Sequence, residues 1–188
     1  YSVYHACSTE GGPDELANKA PFHSNKAETQ WLTQGYYFWR SQKLAEQWGK
    51  TRYERKETSF AILKAKLKLS EEEIFDLVSN SEDIEYFQKL LSRFMNFQRE
   101  KLGRKYNPTV SACLEYFREK TKLQPDILPY LGVMAAEEAE ETYKVKRQFV
   151  EQMPNCIAIN NRIQICLFEG NKDRIIEKQI VYPETWVA

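Results

Sequence analysis

Strand-like patterns occur at both ends of this chain, whereas helical patterns dominate its middle. The first seven residues, YSVYHAC, form a short apolar run, and three β-rich runs, CIAIN, RIQICLFE and RIIEKQIVY, lie near the other end. Asn-Asn and Gly-Asn turn signals separate those three runs. The predicted order is strand, strand, helix, strand, an inserted helical block and then strands. The pattern predicts an α+β domain whose sheet is built from both ends, with helices inserted between.

Within the middle, SQKLAEQWGK has the features of a helix, with Ser41 as a plausible N-cap and Gly49 at its close. SFAILKAKLKL instead alternates apolar and lysine residues, which predicts a half-buried strand. Two longer segments have apolar residues near helical spacing, and VMAAEEAEETYKVKRQF begins with helix formers. The last of these carries Glu137 and three further glutamates, which we expect to be solvated.

The length suits one domain, because a chain of 188 residues can bury about 70% of its unfolded surface. The 27 Lys and Arg balance the 27 Asp and Glu, so the net charge favours neither a nucleic-acid nor a membrane partner. No apolar run approaches the roughly 20 residues that span a bilayer. The four cysteines are too sparse for a disulfide scaffold and lack metal-ligand spacing, which predicts reduced, mostly buried thiols in a cytoplasmic protein. They are Cys7, Cys113, Cys156 and Cys166.

Three short patterns follow one another along the chain: YHACS, then GYYFW leading into SQKLAEQW, then RIQICLF before the last β-rich run. In order and spacing they resemble the ADP-ribosyltransferase superfamily, in the histidine–tyrosine class typified by diphtheria toxin and the poly-ADP-ribose polymerases. The resemblance covers about the first 50 and the last 35 residues. It implies a split antiparallel β-sheet core in a single domain, residues 1–188, with an inserted helical block at about residues 70–145.

The resemblance also implies a role for particular residues in binding NAD. His5 would hydrogen-bond ribose hydroxyls, and the main chain of Ala6, where the family has Gly, would clamp the nicotinamide amide. Tyr37 would stack on the nicotinamide ring. Its neighbour Tyr36 is a further candidate cofactor contact, although alternation along a strand turns it to the other face.

Ser41 and Trp48 lie where the family often has a helix-borne hydroxyl and a second aromatic wall. The third catalytic position is Gln164, where most members have Glu. An amide can bond a ribose hydroxyl but supplies no negative charge to a developing cation. Glu177 and Gln179 form an alternative third position. The candidates to supply the missing charge are Glu169, Glu177 and Glu184.

The resemblance implies an enzyme that cleaves NAD and transfers ADP-ribose to a protein, RNA or DNA acceptor, with NAD as co-substrate and no metal. Within the family, the chain most resembles the small bacterial toxins of toxin–antitoxin and anti-phage (phage defence) systems. This resemblance implies an antitoxin protein as a partner and no association with a membrane. Three alternatives stay open. The acceptor could be water, catalysis could be lost in an NAD- or ADP-ribose-binding module, or the basic run from Arg93 to Tyr106 could bind nucleic acid without NAD.

Overall fold

The computed structural model describes residues 1–24, 30–53, 58–102, 109–137, 145–147, 157–159 and 162–187. Within these ranges the chain forms four α-helices and nine strands. The helices are α1 (Gly12–Lys19), α2 (Gln42–Tyr53), α3 (Ser81–Leu102) and α4 (Val110–Thr121). The strands are β1 (Ser2–Ser8), β2 (Gly35–Trp39), β3 (Phe60–Leu67), β4 (Ile74–Asp76), β5 (Gly132–Ala136), β6 (Val145–Arg147), β7 (Ile157–Ile159), β8 (Ile163–Phe168) and β9 (Ile175–Tyr182).

Seven of these strands form one mostly antiparallel sheet, in the order β4-β5-β8-β2-β1-β3-β9, while β6 and β7 pair separately. Strands β8 and β9, from the second end of the chain, pair with β2 and β3, from the first. This arrangement confirms the predicted α+β class and a sheet built from both ends. The alternation predicted for β3 is confirmed in its second half, where Lys64 and Lys66 are exposed while Leu63 and Ala65 are buried. Its first half is buried on both faces, including Ile62, which the pattern placed on the same face as the lysines.

The sheet is split between β1 and β2. Strand β1 pairs with β3 along its whole length, from Ser2 opposite Lys66 to Ser8 opposite Phe60. It pairs with β2 only at Tyr4, opposite Trp39. Strand β2 instead pairs along its whole length with β8. The second half of β1 and the first half of β2 therefore have no ladder between them, and the sheet opens at this seam.

The region predicted as an inserted helical block contains α3 and α4, but it also contains β4 and β5 of the main sheet. The prediction of a helix beginning at residues 133–136 is wrong, because these residues belong to β5. The two alanines at the end of that strand favour a helix locally, yet β5 lies between β4 and β8 and bonds to both. Pairing on both sides outweighs a weak local preference.

The helices of this region cover one face of the sheet. Leu90 and Phe94 of α3 and Leu114 of α4 pack with Phe75 of β4 in one buried cluster. The opposite side of α3 carries Arg93, which is exposed. The described part of the basic run is therefore a solvated helix face above an apolar stripe, and residues 103–106 of that run lie outside the described residues.

The cysteines that the structure describes agree with the prediction of reduced, buried thiols. Cys7, Cys113 and Cys166 are free and buried, and burial raises the pKa of each thiol to about 12. Cys156 lies outside the described residues. Within the same ranges, no helix is both long enough and apolar enough to cross a membrane.

Candidate functional site

A cleft of about 1020 Å³ lies at the seam where β1 and β2 diverge. Small-molecule sites commonly measure about 300–1000 Å³, so this space suits a large ligand. The cleft brings together five of the residues that the sequence predicted for a site: His5, Ala6, Tyr37, Trp48 and Gln164. They come from three neighbouring strands of the sheet and from α2.

Two predicted cofactor contacts do not line this cleft. The Tyr36 and His23 rings form a T-shaped pair with their centroids 5.2 Å apart, and Lys172 Nζ lies 5.9 Å from the centre of the Tyr36 ring. Ser41 precedes α2, and its carbonyl accepts the Ala45 N–H at 3.1 Å, as expected of an N-cap. Ser41 therefore caps the start of α2, and it is absent from the lining of the cleft.

His5 is held by backbone groups on both sides of its ring. Its Nδ1 lies 2.9 Å from the Tyr37 carbonyl oxygen, and the Phe22 N–H donates to its Nε2 at 3.3 Å. A carbonyl can only accept and an N–H can only donate, so the ring is the neutral tautomer with its proton on Nδ1. Burial lowers the pKa of His5, which keeps it neutral. The ring thus bridges the seam and presents Nε2 as an acceptor.

Tyr37 uses its hydroxyl entirely within the protein. The hydroxyl donates to the Thr33 carbonyl at 2.7 Å and accepts the N–H groups of Thr33 and Leu32 at 3.0 and 3.2 Å. Burial raises the pKa of this phenol well above its ordinary value, so it stays protonated. What Tyr37 offers a ligand in the cleft is its ring, which suits a flat aromatic group.

Gln164 lies on β8 opposite Trp39 of β2 and Ala135 of β5. The Trp31 indole N–H lies 3.3 Å from the Gln164 Oε1 atom. An indole N–H can only donate, which assigns the amide oxygen to the Trp31 side and turns the NH₂ group away from it. The third position therefore offers the cleft a hydrogen-bond donor rather than a negative charge.

The described carboxylates that line the cleft differ from those proposed from sequence. They are Glu10, Glu15 and Glu137. Glu137 keeps 37% of its side chain exposed, in keeping with the expectation that it is solvated, but its Oε2 also accepts from Arg162 Nη2 at 2.6 Å and from Arg162 Nε at 3.1 Å. The three further glutamates of that expectation, Glu138, Glu140 and Glu141, lie outside the described residues. The Arg162 guanidinium also lies 5.5 Å from the centre of the Trp39 ring.

The three glutamates proposed as charge suppliers, Glu169, Glu177 and Glu184, do not line the cleft. Glu177 pairs with Lys66 at 3.2 Å on an exposed face of the edge strand β9. The structure therefore does not bring the alternative third position, Glu177 with Gln179, to the cleft. Gln164 is the candidate that the fold places there.

Sequence reasoning missed several residues of this site. Trp31, His23 and Arg52 all line the cleft. His23 is one of only two histidines, and Trp31 stands four residues before Gly35, but neither fact alone predicts a position in a cleft. Their places depend on how the segments before β2 fold back across the seam.

No family model matches this chain, and neither the curated proteins nor the solved structures include a significant match. The described residues contain no cluster of three or more His, Cys, Asp or Glu side chains that could hold a metal ion. What defines the class of this protein is an α+β fold with a seven-stranded, mostly antiparallel sheet and a cleft of about 1020 Å³ at its seam.

Proposed function

We propose that this protein cleaves the bond between nicotinamide and ribose in NAD and transfers the ADP-ribose to a macromolecular acceptor. One observation carries the proposal: His5, Tyr37 and Gln164, chosen from three separate sequence patterns, line one cleft. The size of the cleft and the aromatic rings on its walls also suit a dinucleotide with a flat base. NAD is a substrate here, so no resident cofactor is needed.

In this proposal the chain acts mainly by positioning. The rings of Tyr37 and Trp48 hold the nicotinamide, and the Ala6 main chain holds its amide. His5 Nε2 accepts a ribose hydroxyl, which has to replace the Phe22 N–H that occupies Nε2 in the structure. The glycosidic bond breaks with its electron pair going to the nicotinamide nitrogen. A nucleophile of the acceptor then attacks the anomeric carbon and loses its proton to water.

Gln164 makes this site weaker than one with a carboxylate. Its NH₂ group would bond the oxygen of a ribose hydroxyl, but it cannot stabilise positive charge that develops on the sugar. Glu137 lines the cleft on the same face of the sheet as Gln164, because it stands two residues after Ala135, which pairs with Gln164. We assign the supply of negative charge to Glu137, which the Arg162 guanidinium holds in place while offsetting part of that charge.

The test is nicotinamide release from NAD, with and without cell lysate, for the wild type, His5→Ala, Gln164→Ala and Glu137→Gln. Glu177→Gln is the matched control, since it removes a carboxylate that lies outside the cleft. We expect His5→Ala, Gln164→Ala and Glu137→Gln each to lower the rate of nicotinamide release by about tenfold or more, the order of effect that one catalytic group has. The control should keep the wild-type rate. Labelled lysate components would identify the acceptor. No release by folded wild-type protein would overturn the enzyme proposal.

A binding module without catalysis is the second candidate. It is favoured by the amide at Gln164 and by the backbone bonds that occupy both ring nitrogens of His5. NAD or ADP-ribose would then raise the melting temperature without any release of nicotinamide. The setting of a bacterial toxin with an antitoxin or a role in phage defence also remains a proposal, which growth arrest on expression of wild type but not of His5→Ala would support.

A further inference from the structure

Helix α4 of the inserted region bonds directly to the loop that leads into β2. Glu115 and Arg118 stand one turn apart on α4, with 30% and 18% of their side chains exposed. Their charged groups lie 3.7 Å apart, and both bond to residues 33 and 34. We call residues 31–34 the WLTQ loop. The sequence suggested no role for α4 at the site. The contact joins this helix to a loop whose Trp31 lines the cleft.

The bonds between α4 and the WLTQ loop are directional and charged. The Gln34 N–H donates to Glu115 Oε1 at 2.7 Å, and the Thr33 hydroxyl donates to the same oxygen. Arg118 Nη1 donates to the Thr33 hydroxyl at 2.7 Å and to the Gln34 carbonyl at 2.9 Å. Hydrogen bonds to ionised groups are the stronger class, so α4 fixes both residues of the loop.

Thr33 connects this charged pair to the candidate site. The residue is completely buried, and its main-chain N–H and carbonyl both bond the Tyr37 hydroxyl. The same carbonyl accepts the Cys166 thiol at 3.5 Å. Every polar group of Thr33 is thus bonded, and a fully satisfied buried network holds a single geometry. Two residues earlier in the loop, Trp31 orients the Gln164 amide.

We propose that Glu115 and Arg118 are positioning residues of the candidate site. Neither residue lines the cleft, and both act through the WLTQ loop on the Tyr37 ring and the Gln164 amide. The effect on catalysis rests on the proposed function, whereas the effect on the position of the WLTQ loop does not. Part of the inserted region would then serve the chemistry of the site.

The first experiment follows the loop without NAD. In protein labelled with ¹⁵N-tryptophan, the exchange rate of the Trp31 indole N–H reports its bond to Gln164, with the resonance assigned by Trp31→Phe. We expect Glu115→Ala and Arg118→Met to speed that exchange by about tenfold, because one lost bond of this class corresponds to a change of that order. Tyr86→Phe is the control, since it removes the 2.7 Å bond from α3 to the Ile127 carbonyl, within the same region and away from the loop.

The second experiment measures nicotinamide release by the same variants at a temperature where each is folded. We expect kcat/KM to fall about tenfold or more in Glu115→Ala and Arg118→Met, an effect comparable to misplacing a catalytic group, with partial recovery in Arg118→Lys. Tyr86→Phe should keep the wild-type value. Should Glu115→Ala not fold, Thr33→Val removes only the hydroxyl that bonds both side chains and carries the same prediction.

Together, the two measurements distinguish a failure of the positioning role from a failure of the proposed function. Unchanged Trp31 exchange in the folded variants would overturn the positioning role whatever the activity. Faster exchange with unchanged kcat/KM would overturn its link to catalysis. Faster exchange in a protein whose wild type neither cleaves nor binds NAD would support the role of the charged pair in holding the loop and overturn the proposed function.

Discussion

Lowering the pH should destabilise this protein through His5, and the size of the effect can be worked from the structure. The folded state holds His5 neutral, because its Nε2 accepts the Phe22 N–H and burial lowers its pKa from the ordinary 6.5. Well above pH 6.5 the histidine is neutral in both the folded and unfolded states and contributes no pH dependence. Below that value the unfolded chain binds a proton that the folded chain does not, so stability falls as pH falls.

The loss continues until the pH reaches the lowered pKa of the folded state. Its slope cannot exceed about 1.4 kcal/mol per pH unit for one proton. Between about pH 7.5 and 5.5 the maximum loss from this group is therefore about 1.4 kcal/mol, most of it below pH 6.5. For a chain of this length that corresponds to roughly 3–6 °C in melting temperature.

The assay is denaturant unfolding at several pH values for the wild type and for His5→Gln, which keeps a donor and an acceptor but does not titrate. Other titrating groups are common to both proteins, so their contributions cancel in the difference. We expect the wild type to lose up to about 1.4 kcal/mol more than His5→Gln between about pH 7.5 and 5.5. Equal losses in the two proteins would refute the neutral, doubly bonded histidine.

Three further predictions concern packing around the site. Gly35→Ala should lower the free energy of unfolding by about 1–3 kcal/mol, because a Cβ there would lie 2.8 Å from Cys166 Sγ and 3.1 Å from the Leu167 carbonyl carbon. An unchanged melting temperature would contradict this close approach. Leu90→Ala should lower the free energy of unfolding measured with denaturant by about 2–5 kcal/mol, because Leu90 is completely buried between α3 and the sheet. Leu123→Ala is the control and should change that free energy by less than about 0.5 kcal/mol, because Leu123 is 82% exposed. Tyr37→Phe should lower the free energy of unfolding by about 1–3 kcal/mol, because it leaves buried N–H groups of the WLTQ loop without their acceptor. It should also lower nicotinamide release, because the hydroxyl is the group by which the WLTQ loop holds the ring; unchanged release in the folded variant would contradict that link.

Much of the fold could be predicted from sequence where the signal is local. The alternation in the second half of β3 follows from one face being buried, and β1, β8 and β9 follow from short β-rich runs bounded by turns. Residues 133–136 show where prediction from local sequence fails. Their local composition favours a helix, and only the neighbouring strands β4 and β8, distant in sequence, make them a strand.

The candidate site divides in the same way. The sequence patterns around His5, Tyr37 and Gln164 indicated strand residues, and the strand order places these residues at one seam. The residues that support them were not predictable. Trp31 bonds Gln164 across 133 positions of sequence, and Glu115 bonds Thr33 across 82. No local pattern encodes such pairs, because each residue alone is consistent with an ordinary surface or core position.

The seam of the sheet is closed by side chains rather than by a strand ladder, and this links the stability of the fold to the occupancy of the cleft. Beyond Tyr4, β1 has no backbone partner on β2, and the His5 ring bonds the Tyr37 carbonyl in its place. A ligand hydroxyl that bonds His5 Nε2 must displace the Phe22 N–H, which costs a hydrogen bond of about 1 kcal/mol unless that N–H finds another acceptor. A ligand that fills the cleft also adds contacts to both sides of the seam. Binding should therefore order the seam while releasing the segment at Phe22, so hydrogen exchange should slow at β1 and β2 and quicken at residues 20–24 when the ligand is added.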